Sequence, residues 1–144
     1  MSLSAEKVID LRVRHLEMIQ ALVSRMAGYS ATFKGLCITV TTAVCGFAIT
    51  VHEQLIILLA IFPVIAFAVL DAEYLRVERR FRLLYDMVRS EPWDTLPSFE
   101  INLAATPPIT RIDVLGSWSI TCFYFPIAIV ILAILIGSYI YGCL

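Results

Sequence analysis

The sequence predicts an all-α membrane protein with three transmembrane helices, of which the first two form a tight hairpin and extend into a cytoplasmic stalk. Three observations predict this class: the composition, three long stretches without charge, and the placement of the basic residues. Hydrophobic residues make up 60% of the 144 residues and charged residues only 16%. A soluble domain of this size hides only about two-thirds of its unfolded surface, so the apolar surplus must face lipid.

Three apolar stretches approach or exceed the length that a bilayer requires, which is about 20 helical residues. We predict transmembrane helices at 33–51, 54–70 and 116–140. Because a very short turn separates the first two, they are expected to run antiparallel and side by side. The first starts after a patterned and charged segment, which is not typical of a cleavable signal peptide.

The basic residues predict the orientation of the three helices. Of the 11 Lys and Arg residues, five precede the first predicted span and six lie between the second and the third. Cytoplasmic segments carry such an excess of positive charge, so we expect the N-terminus and residues 71–115 in the cytoplasm. Residues 141–144 then form a short external tail. The net charge of −1 disfavours nucleic acid as a partner.

Residues 1–32 are predicted to form a cytoplasmic amphipathic helix that continues into the first transmembrane helix. Ser4 is a suitable N-cap, and Glu6 places a carboxylate in the first turn. No proline interrupts the chain before residue 51, which indicates one helix of about 45 residues. The apolar residues of its first part recur every three or four positions: Ile9, Val13, Leu16, Ile19, Val23 and Met26.

A stripe of small residues follows a different face of the same helix. Small side chains allow two helices to approach closely in lipid, so the stripe predicts helix packing, either within one chain or between copies. Its threonines are alternatively candidate pore-lining groups, or they bond back to their own helix. The stripe consists of Ser24, Gly28, Thr32, Gly35, Thr39, Thr42, Gly46 and Thr50.

The second transmembrane helix is predicted to continue through 71–90 as a cytoplasmic extension whose apolar face packs on the N-terminal helix. Pro63 is expected to kink its membrane part, and Glu91-Pro92 to end it. A Pro-rich cytoplasmic loop follows at 91–115. Within it, Thr110 with Asp113 resembles a capping box at the start of the third transmembrane helix.

The chain is not expected to be an enzyme, and no cofactor or metal site is expected. It has no phosphate-binding loop, metalloprotease motif or nucleophile elbow. Its cysteines lack a C-x-x-C spacing and are predicted to act as small apolar packing residues: Cys37, Cys45, Cys122 and Cys143.

Two polar groups are candidate functional sites. A guanidinium group binds two phosphate oxygens at once, so the arginine-rich part of the second helix is a candidate anion or partner site: Arg76, Arg79, Arg80 and Arg82, with Trp93 nearby. The alternative is contact with lipid headgroups and pairing with acidic residues along the helix. Asp71 and Glu73 are a candidate gate at the membrane boundary, or otherwise a solvated helix flank.

The motif H-L-x-x-I-Q stands at 15–20, R-M-A at 25–27 and K-G at 34–35, and further matching residues lie within 70–85. With these motifs the chain resembles an uncharacterised family of small bacterial inner-membrane proteins that is associated with antiphage defence. It departs from that family at Tyr29, where asparagine is usual, and at Leu36, where tryptophan is usual. The resemblance implies one juxtamembrane cytoplasmic layer formed by Arg25, Lys34, Asp71, Glu78, Arg79 and Arg82.

These features favour a homo-oligomeric effector or channel-like component of the bacterial inner membrane. A cytoplasmic signalling protein or a phosphate-bearing ligand would trigger its cytoplasmic face, and the oligomer would then perturb the bilayer or pass ions. The alternative is a non-conducting anchor or regulator that recruits a soluble partner protein through the 91–110 loop.

Overall fold

The structure, a computed structural model, describes residues 4–51 and 53–141. His52 and residues 142–144, and so most of the predicted external tail, lie outside the described residues. The regular structure of the described part is helical, with a 3₁₀ turn at Leu103–Ala105 in the long irregular connection. The helices are α1 (Ala5–Val51), α2 (Gln54–Leu59), α3 (Ile61–Ser90), α4 (Arg111–Leu115) and α5 (Trp118–Tyr141).

Three helical segments are long and apolar enough to cross a membrane: α1, the stretch formed by α2 and α3, and α5. The predicted class, all-α with three candidate transmembrane helices, is confirmed at that level. Because no proline falls within it, α1 runs without interruption for 47 residues, which is about 70 Å at 1.5 Å per residue.

The second candidate span is interrupted at Ala60, three residues before Pro63. Pro63 has no N–H to offer the carbonyl of Leu59, and its ring crowds the preceding turn. The N–H of Ala60 bonds the carbonyl of Ile57 at 3.0 Å instead. The disturbance that the sequence predicts at Pro63 therefore falls one turn earlier.

The apolar ends of the helices share one core. Buried members from α1, α2, α3 and α5 include Cys37, Ala48, Ile57, Val64 and Ile131. The helix α5 packs mainly on α2 and α3, which leaves an apolar groove of about 390 Å³ between α1 and α5. Cys37 and Cys45 are free thiols buried in this core, where they fill space as the sequence predicts.

A second core joins residues 5–32 of α1 to residues 71–90 of α3, which we call the polar helix pair. It consists of Leu16, Ile19 and Val23 on α1 with Phe81, Leu84 and Val88 on α3. The predicted apolar stripe of α1 is wrong at Ile9 and Val13, because both side chains are exposed. Arg12 and His15 are buried there instead, since this end of α1 faces the chain that turns back after α3.

Residues 91–110, the return segment, run from the end of α3 back along the polar helix pair to α4. Leu103 packs on the second core. At the end of the segment, Thr110 Oγ1 accepts the N–H of Asp113 at 3.2 Å, as the predicted capping box requires. That box opens the five-residue helix α4 and not the third candidate span, because α4 ends at Leu115 and α5 starts at Trp118.

Candidate functional site

Arg12 holds the return segment to the N-terminal part of α1. Its side chain is 0% exposed. The guanidinium group donates to the carbonyl of Val88 at 3.1 Å, to the carbonyl of Thr95 at 3.0 Å and to Thr95 Oγ1 at 2.8 Å. Glu91 Oε2, at 3.1 Å, neutralises the charge. A buried charge is tolerated only when it is paired and hydrogen-bonded, and Arg12 meets both conditions.

Sequence reasoning missed Arg12, which it counted only among the basic residues that predict orientation. The missed signal is its register: Val8, Arg12, Leu16, Ile19 and Val23 follow the helical spacing of a buried face. A charged residue within such a face indicates a specific partner across the interface.

His15 lies one turn after Arg12 and is covered by Phe99 from the return segment. The imidazole is 2% exposed, and its ring centroid is 5.3 Å from that of Phe99. Phe99 has a φ of 55°, a conformation that a bulky residue adopts only when its surroundings hold it there. Contact with His15 is part of what holds the return segment in this strained geometry.

Arg80 ties down the middle of the return segment. Its guanidinium donates to the carbonyl of Leu103, and Nε donates to Thr106 Oγ1 at 3.3 Å. Thr106 is buried by this contact. The return segment is thus fixed by arginines at two positions along the polar helix pair.

A buried ion pair joins all three candidate spans where their apolar parts meet the polar helix pair. Lys34 Nζ on α1 lies 2.8 Å from Asp71 Oδ2 on α3. The Asp71 side chain is 0% exposed, whereas that of Lys34 is 19% exposed. Lys34 Nζ also donates to Ser30 Oγ at 2.9 Å on its own helix and to Ser119 Oγ at 3.4 Å on α5.

The aromatic neighbours of this ion pair come from α5. The ring centroid of Phe123 is 5.8 Å from Lys34 Nζ, which is within the range of a cation–π contact. The hydroxyl of Tyr124 donates to the carbonyl of Phe67 on α3 at 3.3 Å. The ion pair is therefore enclosed by one face of each candidate span.

The two residues of the candidate gate have different surroundings. Asp71 is enclosed with Lys34, whereas Glu73 is half-exposed and binds Arg76 at 2.7 Å and Arg111 at 2.6 Å. Residues two positions apart on a helix do not face each other. The structure therefore separates the two carboxylates, and only Asp71 lies at the junction of the three helices.

The arginines of the candidate anion site are largely engaged within the protein. Arg76 binds Glu73, Arg82 binds Glu78 at 2.7 Å, and Arg80 holds the return segment. Arg79 has no ion pair within 4 Å among residues 4–51 and 53–141. Trp93 follows the end of α3 at Ser90, and among residues 4–51 and 53–141 no cation–π contact joins it to these arginines.

The layer that the resemblance implies is spread over two levels. Lys34 and Asp71 form one ion pair, and Glu78 and Arg82 form another. Asp71 and Glu78 lie seven residues apart on α3, which is about 10 Å along the helix. The exposed Arg25 belongs to neither pair.

The stripe of small residues faces away from the rest of the chain, apart from Thr42, which borders the groove between α1 and α5. All eight of its members are exposed, and a Cβ added to Gly28, Gly35 or Gly46 would meet nothing within 4 Å. The hydroxyls of Thr32, Thr39 and Thr50 donate to the carbonyls of Gly28, Gly35 and Gly46, at 3.0, 3.0 and 2.9 Å. The stripe is therefore an open face that does not pack on the other spans, and these hydroxyls bond back to their own helix.

Among residues 4–51 and 53–141, no group of three or more His, Cys, Asp or Glu side chains is placed to hold a metal ion. No family model, curated protein or solved structure matches the chain. The function of this protein is therefore inferred from the contacts described above.

Replacement of Arg12 by methionine is expected to release the first half of the return segment. The carbonyl of Thr95 would lose its donor and that of Val88 would keep only the N–H of Glu91, and each lost hydrogen bond to the charged guanidinium is worth about 1.5–3 kcal/mol. Amide hydrogen exchange at 93–99, measured in detergent micelles, should increase at least tenfold. Arg14→Met is the matched control, because Arg14 is exposed and pairs only with Asp10 on its own helix. Equal exchange in the two variants would contradict the role of Arg12.

Proposed function

We propose that this chain is a homo-oligomeric effector or channel-like component of the bacterial cytoplasmic membrane. Its N-terminus and return segment face the cytoplasm, and its C-terminus faces outward. In this proposal α1 and the α2–α3 stretch form a transmembrane hairpin, and the polar helix pair is a cytoplasmic stalk. Nine of the 11 Lys and Arg residues lie in the polar helix pair, and the other two, Lys34 and Arg111, lie at the same end of the candidate spans, which supports this orientation.

The Lys34–Asp71 ion pair is the observation that carries the proposal. Enclosing ionisable side chains between helices is costly, and in membrane proteins such residues commonly mark ion pathways and gates. This pair joins α1 to α3, and Lys34 also reaches Ser119 on α5, so any relative movement of the three helices disturbs it. We assign to it the role of the lock that keeps the resting protein closed.

The return segment supplies a mechanical route from the cytoplasmic stalk to this lock. Its first part is bound by Arg12, and its far end continues through α4, where Arg111 binds Glu73. The chain then enters α5, which carries Ser119 beside Lys34. A signalling protein or phosphate-bearing ligand that displaced the return segment would therefore act on the helix that encloses the ion pair.

The open stripe on α1 supports assembly from several copies. Its residues lie within about 80° of the helix circumference at 3.6 residues per turn. Glycine and threonine allow close approach of helix backbones in lipid, and three of the threonine hydroxyls already have acceptors on their own helix. We therefore assign this face to a subunit interface and not to the lining of a pore.

One observation favours the alternative, a non-conducting anchor that recruits a soluble protein. The return segment is held firmly, yet it exposes Trp93, Leu96 and Ile101. Large apolar side chains on an ordered surface segment are typical of protein interfaces. In that case the ion pair serves stability alone.

Removal of the Asp71 charge is expected to open the resting protein. Asp71→Asn leaves Lys34 charged in a buried site without its counterion, a loss of about 3 kcal/mol. Induced expression of this variant should depolarise cells more strongly than the unchanged protein, as measured with a potential-sensitive dye. The double variant Lys34→Met with Asp71→Leu removes both charges and should restore the potential.

Asp86→Asn is the control for this experiment, because Asp86 pairs with Arg89 on the exposed face of α3. The same chemical change at that position should leave the potential at its resting value. If Asp71→Asn behaved like Asp86→Asn, the ion pair would have no gating role.

Leucine in place of Gly35 or Gly46 is expected to dissociate the oligomer without unfolding the protomer. There is open space at both positions within one chain, so the new side chain would clash only with a second copy. Crosslinking in detergent and light scattering should show the change in mass. Gly137→Leu makes the same substitution at an equally open position on α5 and should leave the assembly intact. An unchanged mass in all three variants would show that the stripe is not the interface.

The alternative, a non-conducting anchor, predicts the loss of a bound soluble protein when the exposed apolar side chains of the return segment are replaced. Trp93→Ser combined with Leu96→Ser keeps Thr95, and with it the contacts of Arg12, but removes two exposed apolar side chains. A soluble protein that copurifies in equal amount should then be lost, while the membrane potential stays normal throughout. Met87→Ser, an exposed apolar position on α3, is the control and should retain that protein.

A further inference from the structure

The junction between α4 and α5 exposes three apolar side chains at intervals of three residues. Ile112 is 81% exposed and Trp118 is 83% exposed, with Leu115 between them in sequence and also exposed. Val114 is fully buried and anchors the short helix to the rest of the protein. An apolar patch held in this way on an ordered junction indicates a binding partner.

Two guanidinium groups lie close together beside this patch. Glu73 binds Arg76 with one carboxylate oxygen and Arg111 with the other, so one negative charge holds two positive charges in place. Arg111 contacts Glu73 through Nε, and its side chain is 71% exposed. Its terminal nitrogens thus belong to an exposed and pre-positioned fork, which is the geometry that binds a phosphate group.

A cleft of about 220 Å³ joins Leu115 of the apolar patch to Arg111. It lies between α3 and α4, and its walls consist of Val69, Ala72 and Leu115, with Glu73 and Arg111 also contributing. An apolar cleft with a net positive charge beside it is complementary to an amphiphile that carries a phosphate.

We infer that the α4–α5 junction binds an anionic phospholipid of the membrane. Arg111 and Arg76 bind the phosphate, the cleft takes the first methylene groups of an acyl chain, and Trp118 lies at headgroup level, where tryptophan is enriched in membrane proteins. A free phosphate would leave the exposed Ile112, Leu115 and Trp118 without a role. The inference depends on the membrane class of the fold and not on the effector function.

Trp118 itself reports on this site, because the chain has only two tryptophans. In the variant Trp93→Phe, Trp118 is the only source of tryptophan fluorescence. We would reconstitute this variant into phosphatidylcholine vesicles that contain a minor fraction of either brominated phosphatidylglycerol or brominated phosphatidylcholine. The anionic lipid should bind about fivefold more tightly, which corresponds to ~1 kcal/mol for one arginine near an anionic surface.

Arg111→Gln in the same background should abolish the preference for phosphatidylglycerol. Arg89→Gln is the matched control, because Arg89 is also an exposed arginine paired with a carboxylate on α3, and the preference should persist. Equal quenching of Trp118 by the two lipids in the Trp93→Phe variant would overturn the assignment. So would a loss of the phosphatidylglycerol preference that was equally large for Arg111→Gln and Arg89→Gln. Inorganic phosphate that removed the preference more effectively than chloride at the same ionic strength would identify a soluble phosphate as the ligand instead.

Discussion

The Lys34–Asp71 ion pair is the contact on which the arrangement of the three long helices depends. The pair joins α1 to α3, and α5 covers it through Ser119 and Phe123. A buried carboxylate without its cation is strongly unfavourable, so the three helices can separate at this level only together with the pair. The ion pair lies at the boundary between the apolar part of the protein and the polar helix pair. A movement of either part is therefore transmitted to the other.

The return segment obeys the same electrostatic rule at positions farther along the chain. Arg12 and Arg80 bind its beginning and its middle, and Arg111, where the segment passes into α4, binds Glu73 on α3. Arg12 and Arg80 satisfy backbone carbonyls that the segment could not pair by itself, because it has no strand ladder and only one 3₁₀ turn within its described length. Charged side chains thus hold this segment in place. Loss or neutralisation of those charges is therefore expected to release it.

Enclosed polar groups of α1 such as Lys34 contact other helices, whereas exposed ones such as Thr39 form hydrogen bonds within α1. Lys34 is enclosed and has partners on all sides, whereas Thr39 and Thr50 on the outer face satisfy their hydroxyls within the helix. The outer face therefore consists of small side chains whose hydroxyl groups already have hydrogen-bond acceptors. Such a face allows close contact with another helix in lipid. The inner face contains the only enclosed ion pair between candidate spans among residues 4–51 and 53–141.

The sequence by itself determined the helical class, the three apolar stretches and the alignment of the small residues along one helix face, because bilayer partition and helical periodicity are sums over neighbouring residues. It also indicated the break near Pro63 and the capping box at Thr110. This box opens α4, however, and not the third candidate span as predicted. Only the tertiary structure decided that Arg12 is buried, that Asp71 and Glu73 have different partners, and that the stripe of small residues is open. Arg12 and Val88 are 76 residues apart in the chain, and the register in which their helices meet decides which charge each group neutralises. Periodicity within one helix carries no information about that register.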